Sequence, residues 1–160
     1  MDLDRLYKKQ FLPITLDEAW DFFSTPYNLN EITPPEMSFE FVSPQQDSTY
    51  AGQLIQYRIK PVLNIPMSWV TEITQCVDKK YFIDEQRFGP YAFWHHQHHF
   101  TEVPGGVEMV DELHWGLPMG WLGKLVAGRW VRKQVQHIFE YREQKLSEIL
   151  EKIKNQRVTA

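Results

Sequence analysis

The last quarter of the chain carries one unbroken helical pattern, from residue 121 to about residue 154. Apolar residues recur there at spacings of three and four, and no proline interrupts them. The residues that mark this stripe are Leu125, Gly128, Val131, Val135, Ile138, Phe139, Arg142, Leu146, Ile149 and Ile153. A helix of about 30 residues is roughly 45 Å long, so it needs a long surface to pack against.

The middle of the chain has the pattern of β-strands and supplies such a surface. Between residues 38 and 116, six β-rich runs are separated by short turn signals, which predicts an antiparallel meander. The predicted strands are Ser38–Ser43, Gly52–Lys60, Met67–Cys76, Tyr81–Phe88, Ala92–Val103 and Val107–Trp115. Consecutive strands of this length favour a strongly curved sheet.

The N-terminal region adds one strand and two short helices. Residues 3–12 alternate loosely and predict the first strand. Thr15 and Glu18 have the spacing of a capping box, which predicts an amphipathic helix over 16–24. A second short helical turn is expected at 28–32, ending before Pro34 because a residue that precedes proline avoids the helical region.

The segregation of helices and strands indicates an α+β fold. We expect a helix-grip arrangement: a curved seven-stranded antiparallel sheet wrapped around a long C-terminal helix, with two short helices after strand 1. The length of 160 residues fits a single domain, spanning 1–160. The gap between sheet and helix is the expected ligand site.

Composition and charge exclude several functional classes. The net charge of −4 argues against a general nucleic-acid binder, which needs a basic footprint. No apolar run approaches the roughly 18–20 residues of a membrane span, and the N-terminus lacks a signal-peptide pattern. The single Cys76 forms no internal disulfide. We therefore expect a cytoplasmic monomer or homodimer with no nucleic-acid partner and no stable membrane insertion.

Several short motifs, taken in order with the predicted elements, resemble a known family. The motifs are Trp20-Asp21-Phe22-Phe23-Ser24, residues 28–35, Gly89-Pro90-Tyr91, Trp94-His95-His96-Gln97-His98 and Ile138-Phe139-Glu140-Tyr141-Arg142. Over roughly residues 3–154 the chain resembles the SRPBCC (START-like, helix-grip) superfamily, and within it the bacterial polyketide-cyclase-like or "cell division inhibitor" subgroup. The resemblance implies a deep, largely apolar cavity for lipids, sterols, hormones or polyketides, with catalysis in some members.

The most unusual segment is Phe93–Phe100, where four of the six histidines lie within five positions. Alternate residues of a strand share a face. The two alternating sets are Trp94, His96, His98 and Phe100 on one face, and Phe93, His95, Gln97 and His99 on the other. We place the first set inward because large apolar residues bracket it, and the resemblance points to the same spacing.

The following strand brings an acid to these histidines. Met109 and Asp111 share a face that is otherwise apolar, and a turn centred near residue 105 places Asp111 opposite about residue 99, within a residue or two of His98. Such an Asp would orient the imidazole and raise its pKa. Three interpretations stay open: contacts that orient a ligand, a satisfied structural cluster, and acid–base catalysis by His96, His98 and Asp111.

A metal site built from the same two histidines and Asp111 is a further interpretation. Histidines at i and i+2 of a strand can both bind a metal, but the chain has no second Cys or Glu-x-x-His element. We therefore predict no metal and no cofactor.

Other polar positions are candidates for the cavity wall. Asp84 and Gln86 share a face with Phe82 and Phe88 that the resemblance places inward, although Tyr81 and Ile83 fit equally well as the buried set. Arg142 lies on the apolar helical stripe, where it either pairs with an acid such as Asp84 or Asp111 or extends to the rim; we favour the pair.

Two aromatic residues and one loop complete the candidates. Tyr57 and Trp69 are expected either in the cavity wall or in plain core. The junction 115–123 is apolar but broken by Gly and Pro. We expect it near a cavity mouth, as a lid, as a membrane contact, or packed against Trp20.

The leading hypothesis is a protein that binds a small hydrophobic molecule with a polar end. The alternative is an enzyme of the cyclase, dehydratase or hydrolase type that uses a cavity His–Asp pair. The candidate ligand-binding residues are Trp94, His96, His98, Phe100, Asp111, Met109, Tyr57, Trp69, Asp84, Gln86 and Arg142.

Overall fold

The computed structural model describes residues 2–37, 40–42, 47–62 and 65–158. Its strands in these ranges are β1 (Asp4–Leu12), β2 (Glu40–Phe41), β3 (Leu54–Val62), β4 (Ile65–Val77), β5 (Tyr81–Phe88), β6 (Phe93–Val103) and β7 (Gly106–Gly116). Its α-helices are α1 (Leu16–Phe23) and α2 (Gly120–Val158), and 3-10 turns follow α1 at Pro26–Asn30 and Pro35–Met37. Every predicted strand overlaps an observed one; residues 38, 39 and 43 of the second predicted run lie outside the described residues.

The strands form one antiparallel sheet in the order β1-β7-β6-β5-β4-β3-β2. Strands β2 to β7 pair with their neighbours in sequence, as expected for a meander. Strand β1 pairs with β7 from Asp4 opposite Trp115 to Leu12 opposite Val107. The first strand therefore extends the sheet on the far side of the last, and the predicted seven-stranded α+β fold is confirmed.

Irregular pairing in the centre of the sheet changes which side chains face inward. Between β4 and β5 the register shifts once between Val70 and Thr71, and again between Ile73 and Gln75. Bulges of this kind bend a strand and increase its twist. The sheet is thereby curved next to the strands that carry Asp84 and the histidines.

Helix α1 begins at the predicted capping box. The Glu18 backbone N–H donates to Thr15 Oγ1 at 3.2 Å, and the Thr15 N–H donates to the Glu18 carboxylate at 2.8 Å. Both donors at the helix start are therefore satisfied. Trp20, on the buried face of α1, contacts the rings of Phe82 and Phe100 edge-on at 6.1 and 5.6 Å, which anchors α1 on the sheet.

Helix α2 has 39 residues, longer than the 121–154 span predicted from the sequence. Its buried stripe runs from Val131 through Val135, Phe139 and Leu146 to Leu150. The expectation for Leu125 is wrong, because that side chain is 75% exposed. The buried stripe covers roughly 30 Å of a helix roughly 58 Å long, so the first turns extend beyond the surface they pack on. The side chain of Ile153 lies outside the described residues.

Two apolar clusters meet along α2. Leu146 and Leu150 pack in the larger cluster with residues of α1 and the sheet, including Leu12 and Met109. Val131, Val135 and Phe139 pack with Leu113 and Trp115 in the smaller one. Between the two stretches of helix lies a single buried charged residue, Arg142. The polar site described below occupies this junction.

Within the described residues, neither helix combines the length and the apolarity that crossing a lipid bilayer requires.

Candidate functional site

The two faces of β6 are as predicted. His96, His98 and Phe100 are buried, and Trp94 is half-buried beside them. On the other face, His95, Gln97 and His99 keep contact with solvent. The alternation follows from the two-residue period of a strand that has an apolar core on one side.

Asp111 lies directly opposite His98 in the pairing of β6 and β7. This is one residue from the predicted position, because the turn contains only Pro104 and Gly105, with Val103 paired to Gly106. Gly105 has a φ of +86°, which a residue with a side chain rarely adopts. A hairpin of this length therefore sets the histidine and the carboxylate side by side.

A second carboxylate, the half-buried Asp84 of β5, lies opposite His96. The inward face of β5 that the resemblance implied is present only in its first half, at Phe82 and Asp84. Gln86 turns to the 89–92 loop, where its amide donates to the Tyr91 carbonyl at 2.6 Å. Phe88 is 65% exposed. The pairing of β5 with β6 ends at Glu85, and beyond it Gln86 and Phe88 pair only with β4, across the register shift between Val70 and Thr71.

The two imidazoles lie between the two carboxylates, and we call Asp84, His96, His98 and Asp111 the His–Asp cluster. His98 Nε2 is 2.8 Å from Asp84 Oδ2, and His96 Nδ1 is 3.4 Å from the same oxygen. On the other side, His96 Nε2 and His98 Nδ1 are 3.0 and 2.9 Å from Asp111 Oδ1. The imidazole rings are 3.8 Å apart. Each ring nitrogen therefore lies close to a carboxylate oxygen.

Arg142 brings a cation to the cluster from α2. Its Nη1 is 3.8 Å from Asp111 Oδ1, so the predicted pairing is with Asp111. The guanidinium also lies over the ring of Phe139, 5.0 Å from its centroid. Arg142 Nε and His98 Nδ1 are buried and make no hydrogen bond among the described residues.

Burial opposes charge throughout the cluster, and the mutual contacts decide which groups stay charged. Burial alone would raise the pKa of Asp111, but its contacts with His96 and His98 hold that pKa well below its usual range. The same two imidazoles outweigh burial at Asp84 and lower its pKa. Burial and the neighbouring His98 lower the pKa of His96. At His98 the contacts with Asp111 and Asp84 outweigh burial and raise the pKa.

A proton is therefore held on His98 before His96. With His98 protonated, the charges of the cluster balance: the carboxylates of Asp84 and Asp111 face the imidazolium and the guanidinium of Arg142. The His–Asp cluster together with Arg142 is therefore polar but has no net charge, which lowers the cost of its burial.

The cluster forms part of the wall of a cavity of about 160 Å³ between the sheet, the 3-10 turns and α2. The predicted site residues that line the cavity are Tyr57, Trp69, Asp84, Trp94, His96, His98 and Arg142. The remaining predicted site residues, Phe100, Met109, Asp111 and Gln86, do not line it. Phe100 is covered by Trp20 and Phe23, Met109 is fully packed in the core, and Asp111 lies behind the imidazoles.

Aromatic rings form a continuous wall from the cluster to the protein surface. Trp94 donates to Asp84 Oδ1 at 3.3 Å and contacts Trp69 edge-on at 5.2 Å. Trp69 stacks on Tyr57, whose ring contacts Phe41, and Phe41 contacts the exposed Tyr27.

The polar atoms of this wall satisfy one another. Thr71 Oγ1 accepts a hydrogen bond from Trp69 Nε1 at 3.0 Å and lies 2.8 Å from the Tyr57 hydroxyl. Burial raises the pKa of Tyr57, which keeps its hydroxyl protonated. The wall therefore presents mainly ring carbon to the cavity, and the His–Asp cluster with Arg142 supplies the charged groups among its described lining residues.

Sequence reasoning did not assign the N-terminal side of the cavity. The residues concerned are Phe22, Phe23, Leu29, Ile32, Met37 and Phe41. The available signal was the pair of adjacent phenylalanines in a short helix, both of which line the cavity and pack against the larger cluster. The 115–123 junction contributes no lining residue, so its expected place at this cavity's mouth is wrong. Leu117, Gly120 and Trp121 instead border a small separate pocket with Asp2 and Asp4.

No protein-family model and no curated protein matches this chain. Solved structures do resemble it. A point mutant of norcoclaurine synthase from Thalictrum flavum, in complex with a transition-state analogue, has a TM-score of 0.66 at 9% identity, over 96% of this chain and 97% of that chain. An uncharacterized protein from Rhizobium leguminosarum has a TM-score of 0.63 at 11% identity, over 92% and 96%.

The protein Ara h 8.0201 has a TM-score of 0.58 at 14% identity, over 92% of this chain and 99% of that chain. At these identities the likeness concerns the fold. This chain has the helix-grip fold, in which the sheet and the long C-terminal helix enclose a cavity.

Proposed function

We propose that this protein binds one small apolar molecule with a polar end inside the cavity. The observation that carries the proposal is the arrangement of the wall: aromatic rings lead from the surface at Tyr27 to a buried, charged cluster at His96 and His98. Concave sites with mostly apolar walls and a few convergent polar groups are the usual form of small-molecule sites.

The size of the cavity limits the ligand. A volume of about 160 Å³ accommodates on the order of ten water-sized groups, so the ligand has roughly ten to fifteen non-hydrogen atoms. Burying about 300 Å² of apolar surface at roughly 25 cal/mol per Å² contributes about 7 kcal/mol before the costs of association. Such a ligand is an aromatic or medium-chain compound, smaller than an intact membrane lipid.

The polar end of the ligand is expected at the His–Asp cluster. His98 holds a proton, and Arg142, which lies beside Asp111, has a buried Nε that makes no hydrogen bond among the described residues, so a carboxylate or an enolic oxygen finds donors there. This assignment agrees with the polyketide-cyclase-like subgroup that the sequence resembles. We further propose a cytoplasmic monomer or homodimer, in keeping with the unpaired thiol of Cys76.

Binding of 2-naphthoate, a fluorescent aromatic probe with an anionic end that lies within this size limit, tests the proposal. The fluorescence anisotropy of the probe should rise with one site per chain, and Ile55→Trp, which fills the cavity, should abolish that site. The matched control is Leu125→Trp on the exposed start of α2, which should leave the site intact. Circular dichroism verifies that both variants fold. Equal binding by wild type and Ile55→Trp would contradict a ligand site in the cavity.

A second candidate function is acid–base catalysis, favoured by one observation. The pKa of His96 is lowered and that of His98 is raised, although both line one cavity. Neighbouring groups whose pKa values are driven apart are the usual form of a catalytic acid and base. With a substrate of the cyclase, dehydratase or hydrolase type in hand, the pH–rate profile should lose one ionisation in His98→Gln. An unchanged profile would contradict the catalytic role.

A further inference from the structure

We propose that Asp84, His96 and His98 form a binding site for one divalent transition-metal ion such as Zn²⁺. Each of the three residues offers a ligand atom, and these atoms lie within 4.8 Å of one another. The sequence pattern offered only Asp111 as a third ligand; the pairing of β5 with β6 supplies Asp84 instead. Two imidazoles and one carboxylate are a common ligand set for such ions.

The distances between the ligand atoms fit a metal ion with little movement. Zn–N and Zn–O bonds of about 2.0–2.2 Å in tetrahedral geometry place ligand atoms roughly 3.3–3.5 Å apart. His96 Nδ1 is 3.4 Å from Asp84 Oδ2, and His98 Nε2 is 2.8 Å from the same oxygen. Rotation of the His98 ring or the Asp84 carboxylate that moves His98 Nε2 and Asp84 Oδ2 apart by about 0.6 Å, from 2.8 to 3.4 Å, gives both pairs that separation, and all three ligand atoms lie within 4.8 Å of one another.

The groups behind the three ligands have the arrangement found around metal-bound histidines. His96 Nε2, which faces away from Asp84, hydrogen-bonds the buried Asp111 carboxylate at 3.0 Å, and His98 Nδ1 lies 2.9 Å from the same carboxylate but outside hydrogen-bond geometry. An acceptor on the far nitrogen fixes the tautomer of a metal-binding imidazole and increases its basicity. Trp94 Nε1 donates to Asp84 Oδ1, which leaves Oδ2 for the ion. Asp111 is thus a positioning residue and Asp84 a ligand.

The charge of the site leaves a place for an anionic group. With both imidazoles neutral, the carboxylates of Asp84 and Asp111 and the guanidinium of Arg142 sum to −1, and a divalent ion changes this to +1. Because Asp84, His96 and His98 line the cavity, the fourth position of the ion faces it. We infer that an anionic end of the ligand completes the coordination. This inference about the ligand, unlike the metal site itself, rests on the proposed function.

Metal binding is measured on protein freed of metal with a chelator and of any affinity tag. Titration with Zn²⁺ in a calorimeter should show one site per chain, and Co²⁺ at that site should give the visible absorption of four-coordinate Co²⁺. Mg²⁺ should not compete, because it prefers six oxygen ligands. Asp84→Asn and His98→Gln should each weaken Zn²⁺ binding by more than about 100-fold. Asp111→Asn should weaken it by about 10–100-fold, as expected for a positioning residue.

The matched control is the double variant His95→Gln/His99→Gln on the outer face of β6, which should keep the site. Loss of the site in this variant, or its retention in Asp84→Asn and His98→Gln, would overturn the assignment. X-ray absorption of the Zn²⁺-loaded wild type gives a readout independent of whether the variants fold. Two imidazole scatterers are expected; a shell of oxygen ligands alone would also overturn the assignment.

Comparing the binding of octanoate, which has an anionic end, with that of octanol, which has a neutral end, tests the metal site and the ligand site separately. Zn²⁺ should tighten the binding of octanoate at least tenfold and leave the binding of octanol unchanged. If both bind equally with Zn²⁺ and with a chelator, the proposed function survives and the inferred coordination of the ligand is wrong. If Zn²⁺ binds in a single site but neither compound does, the metal site survives and the proposed function is wrong.

Discussion

Two pairs of histidines alternate along β6, and they have very different surroundings. His96 and His98 are buried between Asp84 and Asp111. His95 lies 2.6 Å from Glu85 at the outer face, where both side chains are about one-quarter exposed, and His99 contacts the amide oxygen of Gln97 at 3.1 Å. The four residues have the same chemistry and neighbouring positions in the sequence. Their difference shows that the face of the strand, and the carboxylates that its neighbours bring to that face, decide what a histidine does.

The largest difference should appear when a carboxylate is removed from each face of β7. Asp111→Ala leaves Arg142 buried without its counter-ion and the two imidazoles with Asp84 alone, so it should lower the free energy of unfolding by about 3–5 kcal/mol. Glu112→Ala, next to it on the outer face, removes the partner of Arg5 and should cost less than about 1 kcal/mol. Denaturation with urea measures both. Equal costs would mean that the inner cluster has no special role in stability.

The next largest effect is the loss of probe affinity when a histidine is replaced on the inner or the outer face of β6. His98→Gln removes a charged donor at the polar end of the cavity and should weaken the binding of 2-naphthoate about tenfold, roughly 1.4 kcal/mol. His99→Gln, one residue further along, should leave the affinity unchanged. Fluorescence titration provides the comparison. A loss of affinity in His99→Gln as large as in His98→Gln would place the probe elsewhere.

A smaller effect is the pH dependence of stability that His98 contributes in protein kept free of metal. His98 faces Asp84 of β5, Asp111 of β7 and its strand neighbour His96, with Arg142 of α2 beside Asp111. Its pKa in the folded protein is raised above the ordinary value of about 6.5, so the stabilisation is fully present below that pH. It is lost as the pH rises through the folded pKa.

The stability of wild type minus that of His98→Gln should therefore fall as the pH increases above about 6.5. Urea denaturation at several pH values measures the difference, and His96 is present in both proteins. NMR titration of the ring protons adds a direct test, since His98 should titrate above the ordinary value and His96 below it. Midpoints in the opposite order would contradict the assignment.

The smallest expected effect is the coupling between His95 and Glu85. Both side chains are about one-quarter exposed, and pairs at such sites contribute less than about 1 kcal/mol. A double-mutant cycle of His95→Gln and Glu85→Gln measures the coupling free energy. A coupling of several kcal/mol would show that the outer face also holds a desolvated pair, and would remove the contrast between the two faces.

Local sequence patterns were sufficient for the elements of this fold and for part of the site. The strand period of two separated His96 and His98 from His95 and His99, and the short Pro104-Gly105 turn placed Asp111 within one residue of its observed partner. Asp84 could not be decided, because Phe82 on one face of β5 and Ile83 on the other are both apolar and both buried. A strand with two apolar faces contains no signal about which face is inside.

The position of the long helix shows the same limit. A period of three to four residues predicted α2, but it included Leu125 in the buried stripe as readily as Val135. Which turns are covered depends on how far the sheet extends beneath the helix, and this is a property of the assembled fold. The N-terminal wall of the cavity was missed for the same reason, because the 3-10 turns meet the sheet only in the tertiary structure.

The order of elements, the inward histidines and the approach of Asp111 were determined by the sequence alone, because each follows from spacing along one strand or across one tight turn. Three-dimensional packing alone decided that Asp84 joins them, that Arg142 pairs with Asp111, and that a cavity remains beside them. These depend on bulges, on the register between β5 and β6, and on where α2 rests. Such features depend on the balance of many distant contacts, which no local pattern records.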